Sequence, residues 1–300
     1  MKKNSFTAKA LGLGAAALAL GLGLAGCSAN AAGVSGADGA APATAATAAA
    51  QFRTLDEIKN SGEITIGVVS DKAPFGYVDE NGSYQGYDVY FANRLAHDLG
   101  VEVEYVSLDP ASRVAFLETG KVDLVLANFT VTPERAEKVD FALPYMKVAL
   151  GVVSPDGSVI TDAAQLDGKI LIVAKGTTAE TYFEKNYPDV TLQKYDQYAD
   201  AYSALLDGRG DALSTDNTEV LAWAIANPGF TVGVTSLGDL DTIAPAVTKG
   251  NTTLLDWLNT EIKTLGGEQF FHADYAATLA PVYGPSADPD ALVVEGGVVE

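Results

Sequence analysis

The sequence predicts an α/β fold in two lobes. From Phe52 onward, β-branched and apolar runs alternate with stretches of helical spacing, the order expected of strands joined by helical crossovers. The series breaks and then restarts near the middle of the chain. Of the 300 residues, 48% are hydrophobic, which suffices for two medium cores or one large barrel. The restart favours two lobes. Ligands of such sheets bind at the carboxyl ends of strands, so two facing sheets would place a site in the cleft between them.

The first elements are an address. Met1 to Lys9 carries Lys2, Lys3 and Lys9 and no acid, and the apolar run ALGLGAAALALGLGLAGC follows. This is the charged-then-apolar order of a secretory signal, and at ~16 residues the run is short of the ~20 that span a bilayer. It ends in Leu24-Ala25-Gly26-Cys27, a quartet that resembles a bacterial lipobox. Residues 1–26 are therefore expected to be a lipoprotein signal peptide cut before Cys27, whose thiol is lipidated and anchors the chain to the cell membrane. An ordinary signal with a chance cysteine is the plainer alternative. Residues 28–50 are rich in Ala, Gly, Ser and Thr and have too few large apolar side chains to offset ordering entropy. The lipidated Cys27 and a flexible tether are expected over 27–51.

EITIGVV (63–69) reads as a strand, bounded by Gly62 and the polar SDKAP. GYDVYFANRLAHDLG (86–100) reads as a helix, with Ala92, Leu95, Ala96 and Leu99 on one face and Gly100 as the stop. VEVEYV (101–106) alternates as a strand, SRVAFLETG (112–120) is a short helix, and VDLVLA (122–127) is a strand covered on both faces. The restart gives a buried strand at KILIVA (169–174), a helix at 177–187 stopped by Pro188, and a helix at 198–208. A strand at DALST (211–215) and helices at 217–227 and 253–266 complete the series.

The charge excludes some functions. Against 19 Lys and Arg stand 39 Asp and Glu, a formal net charge of −20, and loss of the leader lysines makes the mature chain more acidic. Such a surface repels a phosphate backbone, which argues against nucleic-acid binding. One cysteine rules out intramolecular disulfides, zinc–cysteine sites and Fe–S clusters, and His97 and His272 cannot build a metal site alone. No metal and no cofactor is expected.

Four stretches carry polar chemistry at strand ends. In LANFTVTPERAEKVDFALPY (126–145), Thr132 suits an N-cap, Pro133 the first helical position, and Glu134 the positive helix end. Arg135 faces the wrong pole of that dipole, which suggests a nearby anion and a guanidinium fork aimed at a carboxylate. A solvated arginine paired with Glu134 or Glu137 is the alternative. In VAKGTTAETY (173–182), Gly176 allows close backbone approach, and Thr177 and Thr178 open a helix whose free N–H groups could hold an anion or be simply capped. Asp216, in DALSTDNTEV (211–220), is either an N-cap or a carboxylate for an ammonium. In SDKAPFGYVDENGSYQGYD (70–88), Phe75 and Tyr77 are either core aromatics or the walls of a side-chain pocket with Lys72 at its rim. A cation donor, an amide-rich helix start and a carboxylate together fit a zwitterion.

In order, GYDVYFANRLA, GKVDLVLANFTVTPERAEKVDF, PYMKVALGVV, KGTTAETYF and DALSTDN resemble the family 3 extracellular solute-binding proteins, the polar amino-acid receptors of bacterial ABC importers. The resemblance runs from about Leu55 to about Gly284. DKAPFGYVDENG, RGDALSTDNT, IAPAVTKG and GEQFFHADY are most similar to cysteine-binding members. It implies a periplasmic-binding-protein-like (type II) α/β fold, with two hinge strands near Lys147–Val153 and Asp241–Val247 and a ligand cleft between lobes. Lobe 1 would be 52–147 plus 248–300, and lobe 2 would be 148–247. By motif, Arg135 would clamp the ligand α-carboxylate with Thr130, Gly176, Thr177 and Thr178. Asp216 would take the α-ammonium with the Asn128 carbonyl or the Thr130 hydroxyl. Phe75, Tyr77, Phe129 and Lys72 would shape the side-chain pocket. Where several members carry a first-loop aspartate, this chain has Val69, with Asp71 two residues on. That departure argues against a cationic ligand.

The function so implied is an extracytoplasmic binding lipoprotein, a monomer and not an enzyme, that captures a free L-amino acid and hands it to a membrane permease. Cysteine leads, ahead of cystine, glutamate, aspartate and other small polar amino acids. The alternatives are an exported cyclohexadienyl-type dehydratase, which would need a general acid, and a ligand-sensing or adhesin surface protein.

Overall fold

The computed structural model describes residues 52–299. The signal, Cys27 and the tether expected over 1–51 lie outside the described residues.

Helix α1 (Leu55–Ser61) starts in a capping box between Thr54 and Glu57 and ends at Gly62, whose φ is +76°. It leads into β1 (Glu63–Val68) and a small antiparallel sheet of β2 (Asp71–Lys72), β3 (Gly76–Val78) and β4 (Tyr84–Gln85). There follow α2 (Tyr87–Leu99), β5 (Glu102–Ser107), α3 (Arg113–Glu118), β6 (Leu124–Val125), α4 (Pro133–Ala136) and β7 (Val139–Phe141). A second series runs β8 (Met146–Pro155), β9 (Ile170–Ala174), α5 (Thr178–Asn186), β10 (Thr191–Tyr195), α6 (Tyr198–Leu206), β11 (Ala212–Asp216), α7 (Asn217–Ala226) and β12 (Phe230–Ile243). The chain closes with β13 (Ala246–Thr248), α8 (Thr252–Gly267), α9 (Phe270–Thr278), α10 (Ala280–Tyr283) and α11 (Pro289–Leu292).

The fold is α/β with two lobes, each built on a five-stranded sheet. The first sheet has the order β5-β1-β6-β13-β7 and the second β10-β9-β11-β8-β12. In each, three parallel strands carry the crossover helices, and antiparallel strands complete the far edge. The first core sets Ile64, Ile66 and Val68 of β1 against Phe91 and Leu95 of α2 and Leu258 and Ile262 of α8. The second sets Leu171 and Val173 of β9 against Phe183 of α5. A third apolar cluster joins the lobes, with Val69, Leu108 and Phe129 meeting Ala174 and Tyr198.

The chain passes between the sheets twice, after β7 and after β12. The two passages lie side by side, tied by Ala142 N–H to the Pro245 carbonyl (2.8 Å) and Tyr145 N–H to the Ile243 carbonyl (3.0 Å). Among the described residues no helix is long and apolar enough to cross a membrane.

Candidate functional site

Arg135 is delivered by a short turn of structure that its own sequence dictates. Asn128, at φ +47°, turns the chain sharply after β6. Thr132 then caps α4 by accepting from the Arg135 N–H (3.2 Å), with Pro133 at the first position. The guanidinium donates to the Thr130 carbonyl (2.6 Å) and, across the cleft, to the Gly176 carbonyl (2.9 Å). The fork expected to face a carboxylate therefore ends on two carbonyl oxygens, because both turns leave backbone acceptors within its reach. Burial, and then the neighbouring Arg113 guanidinium, push its pKa down to about 9, which leaves it charged at neutral pH.

The second lobe answers with the turn after β9. Gly176 adopts φ +72°, and its N–H is held by the Glu180 carboxylate (2.6 Å). Thr177 caps α5, accepting from the Glu180 N–H (3.3 Å) and donating to the Ala174 carbonyl (2.7 Å). The plain capping role thus accounts for the Thr177 hydroxyl, while Thr178 opens the helix at the cavity edge.

Asp216 ends β11 and precedes α7 but makes no side-chain cap bond. It is buried, and its Oδ2 lies 3.0 Å from the Lys72 ammonium. Its Oδ1 has no protein hydrogen bond among the described residues.

Lys72 is not at a rim. Only 1% of it is exposed, because two carboxylates compensate its charge: Glu219 stands 2.7 Å from the ammonium, opposite Asp216. The ammonium also donates to Asn128 Oδ1 (2.9 Å) and to the Tyr198 hydroxyl (3.3 Å). Phe75 is wholly buried and belongs to the first core, although its ring lies 5.7 Å from that ammonium. Tyr77 sits half-buried in the small sheet, between Asp71 and Gln85. Phe129 lies under the guanidiniums of Arg113 and Arg135. The Asn128 carbonyl, expected to face an ammonium, accepts instead from Arg113 (3.2 Å).

Sequence reasoning missed Arg113, Glu219 and Tyr198. Arg113 is buried and donates to the carbonyls of Pro110 (2.9 Å), Ala127 (3.2 Å), Asn128 (3.2 Å) and Gly176 (3.0 Å). The signal that singled out Arg135, a cation in a first helical turn, marks Arg113 as well. Glu219 falls three residues after Asp216, the spacing between a helix cap and the third helical residue, which brings the two together at the start of α7. Burial raises its pKa to about 7 against the pull of Lys72. Asp71, the acid nearest the departed first-loop position, accepts from the Ala199 N–H of α6 (2.9 Å) and so joins the lobes.

Beside this cluster a cavity of about 590 Å³ opens between the lobes, with Arg135, Thr177, Thr178, Tyr182 and Asp241 in its wall. Asp216 and Asp241 both act on the Arg135 charge. Asp241 shares the cavity wall with Arg135, whereas Asp216, paired with Lys72, is not part of that wall. No group of three or more His, Cys, Asp and Glu able to hold a metal exists among the described residues.

Residues 64–272 match the family model of bacterial extracellular solute-binding proteins, family 3. The solved structure of the solute receptor for L-cysteine of Neisseria gonorrhoeae is 54% identical at a TM-score of 0.80, covering 81% of this chain and 100% of that one. The cysteine-binding protein of Campylobacter jejuni is 50% identical at a TM-score of 0.79, covering 80% of this chain and 98% of that one. A glutamine-binding ABC-transporter protein of Bacillus subtilis is 30% identical over 217 residues, which are 71% of this chain and 79% of that protein.

Proposed function

The chain belongs to the bacterial extracellular solute-binding proteins, family 3, the amino-acid-binding components of ABC transporters, and we propose that its ligand is free L-cysteine. The observation that carries this is the meeting of the two lobes at charged side chains: Arg135 borders the cavity beside the second-lobe turn at Gly176, and Asp216 of the second lobe ends on Lys72 of the first at 3.0 Å. In this reading Arg135 clamps the α-carboxylate, with the Thr130 hydroxyl and the Gly176–Thr178 turn completing the grip. Asp216 Oδ1 takes the α-ammonium. Phe129, under the Arg135 guanidinium, lies nearest the side-chain space, while Phe75, Tyr77 and Lys72 stand outside the cavity wall. Likeness to two cysteine receptors at 54% and 50% identity supports cysteine over other small polar amino acids.

Each charge-assisted bond contributes about 1.5–3 kcal/mol, and micromolar binding needs about 8 kcal/mol, which three or four such bonds reach toward the upper end of that range. We take the lobes to divide where the chain passes between the sheets, at 142–145 and 244–245, a few residues before the bounds expected at 147/148 and 247/248, because β8 belongs to the second sheet and β13 to the first. The ligand meets one lobe, closure adds the other, and the closed form is delivered to a membrane permease without a covalent step. Lipid on Cys27 holds the protein at the outer face of the cell membrane; metabolic palmitate labelling, lost in Cys27→Ser, tests that anchor.

A thermal-shift screen against the twenty amino acids and cystine tests the ligand, since ligand binding stabilises by mass action. Cysteine should give the largest shift. A larger one from another amino acid overturns cysteine.

A further inference from the structure

We infer that Lys72 is a built-in cation that fills a cation site in the cleft and so decides which side chains the protein admits. The inference deepens the reading of the cleft as an amino-acid site but does not depend on cysteine as the ligand.

The geometry around Nζ is that of a ligand cage. Four acceptors surround an ammonium with three protons: Asp216 Oδ2 at 3.0 Å, Glu219 Oε2 at 2.7 Å, Asn128 Oδ1 at 2.9 Å and the Tyr198 hydroxyl at 3.3 Å. Two aromatic faces complete it, with the Tyr198 ring centre at 4.7 Å and that of Phe75 at 5.7 Å. The cage is built apart from Lys72. Asp216, Glu219 and Tyr198 belong to the second lobe, and Glu219 is further fixed by the Thr215 hydroxyl at 2.8 Å and by the Tyr202 hydroxyl. Lys72 reaches in from β2 on the first lobe, an aliphatic stem with a charged head, which is the chemistry of a cationic amino-acid side chain.

Two consequences follow from charge. With Lys72 in place, a ligand side chain bearing an ammonium or guanidinium meets a like charge and carboxylates already engaged, so it is rejected. Without Lys72, two buried carboxylates lose their counter-ion while the stem's space opens. The cage would then take a small organic cation, either a free alkylammonium or the side chain of L-lysine or L-arginine.

The test compares the whole protein with its Lys72→Ala and Lys72→Arg variants. n-Butylammonium should raise the melting temperature of Lys72→Ala by several degrees, about what binding at ~100-fold above Kd provides, and butan-1-ol should not. Wild type and Lys72→Arg, with the cage filled, should respond to neither. By calorimetry L-arginine or L-lysine should bind Lys72→Ala at least about 100-fold more tightly than wild type. The double variant Lys72→Ala, Glu219→Gln leaves one uncompensated carboxylate rather than two, so the test stands if the single variant folds poorly. Amine-dependent recovery of folding in either variant supports the inference. An amine effect no greater than that of the alcohol in both variants overturns it, as does wild type accepting L-arginine as readily as Lys72→Ala. Parallel titration with cysteine separates the two claims, since wild type failing to bind cysteine removes the cysteine assignment and leaves the cage result intact.

Discussion

Arg113 and Arg135 end on the same atom: each donates through Nη2 to the Gly176 carbonyl oxygen, at 3.0 and 2.9 Å. The guanidinium carbons lie 4.5 and 4.8 Å from the centre of the Phe129 ring. Two like charges are held together by carbonyl dipoles and an aromatic face. Their surroundings differ. Arg113 is buried and its other donors serve first-lobe carbonyls, whereas Arg135 borders the cavity.

Arg113 is therefore a structural cation. Arg113→Ala leaves buried carbonyls without donors and should cost about 2–4 kcal/mol of stability in urea denaturation. Arg135→Ala should cost less than about 1 kcal/mol in the same measurement, because its site is open to water. Equal losses would remove the distinction.

Binding should show the opposite ranking at the ligand poles. Arg135→Ala should abolish amino-acid binding in a folded protein, and Asp216→Asn should weaken it by roughly 100-fold, the loss of one charge-assisted bond to a charged partner. Calorimetric titration checks both, and affinity like that of wild type in either variant counts against the assigned pole.

Gly176 is a point of close backbone approach between the lobes. A Cβ built there would stand 2.5 Å from Ala111 Cα and 2.8 Å from Ala111 N, both first-lobe backbone atoms. Gly176→Ala should therefore wedge the lobes as well as strain a backbone at φ +72°. Gly208→Ala is the control: its φ is +70° with nothing within 4 Å, so it adds strain alone, roughly 1 kcal/mol. At saturating ligand, small-angle scattering should give a larger radius of gyration for Gly176→Ala than for Gly208→Ala. Identical radii would show that closure tolerates the methyl.

Asp88 gives the fold a pH signature. It is wholly buried, and burial raises its pKa to about 6, against the lowering effects of the Tyr145 hydroxyl (2.6 Å) and the Asn128 N–H (2.7 Å). A folded pKa above the unfolded one means that the native state holds the extra proton. The associated stability is present below about pH 4 and lost as pH rises through about 6, a change of about 3 kcal/mol. The stability of wild type relative to Asp88→Asn should fall by that amount between about pH 4 and pH 7. A flat or rising difference would contradict the buried-acid account.

Much of the fold was legible because its signals are local. The face of Ala92, Leu95, Ala96 and Leu99 and the stop at Gly100 marked α2, and the apolar run 169–174 marked β9. The 14-residue β12 was not: it is half-exposed, mixes Gly, Asp and Thr with its apolar residues, and shifts register three times against β8. The site followed the same division. Thr132, Pro133 and Arg135 announced themselves in one helical turn. The burial of Lys72 did not, because it depends on Asp216 and Glu219, which lie more than a hundred residues away and meet it only when the lobes come together.

The direct measurement is calorimetric titration of the protein with L-cysteine, cysteamine and 3-mercaptopropionate, which carry both charged poles, the ammonium alone and the carboxylate alone. L-cysteine should bind, and each one-pole analogue should be weaker by at least about 100-fold, since it forgoes the charge-assisted bonds to Arg135 or to Asp216. Either analogue binding as tightly as L-cysteine would mean that the two lobes do not hold opposite ends of one amino acid.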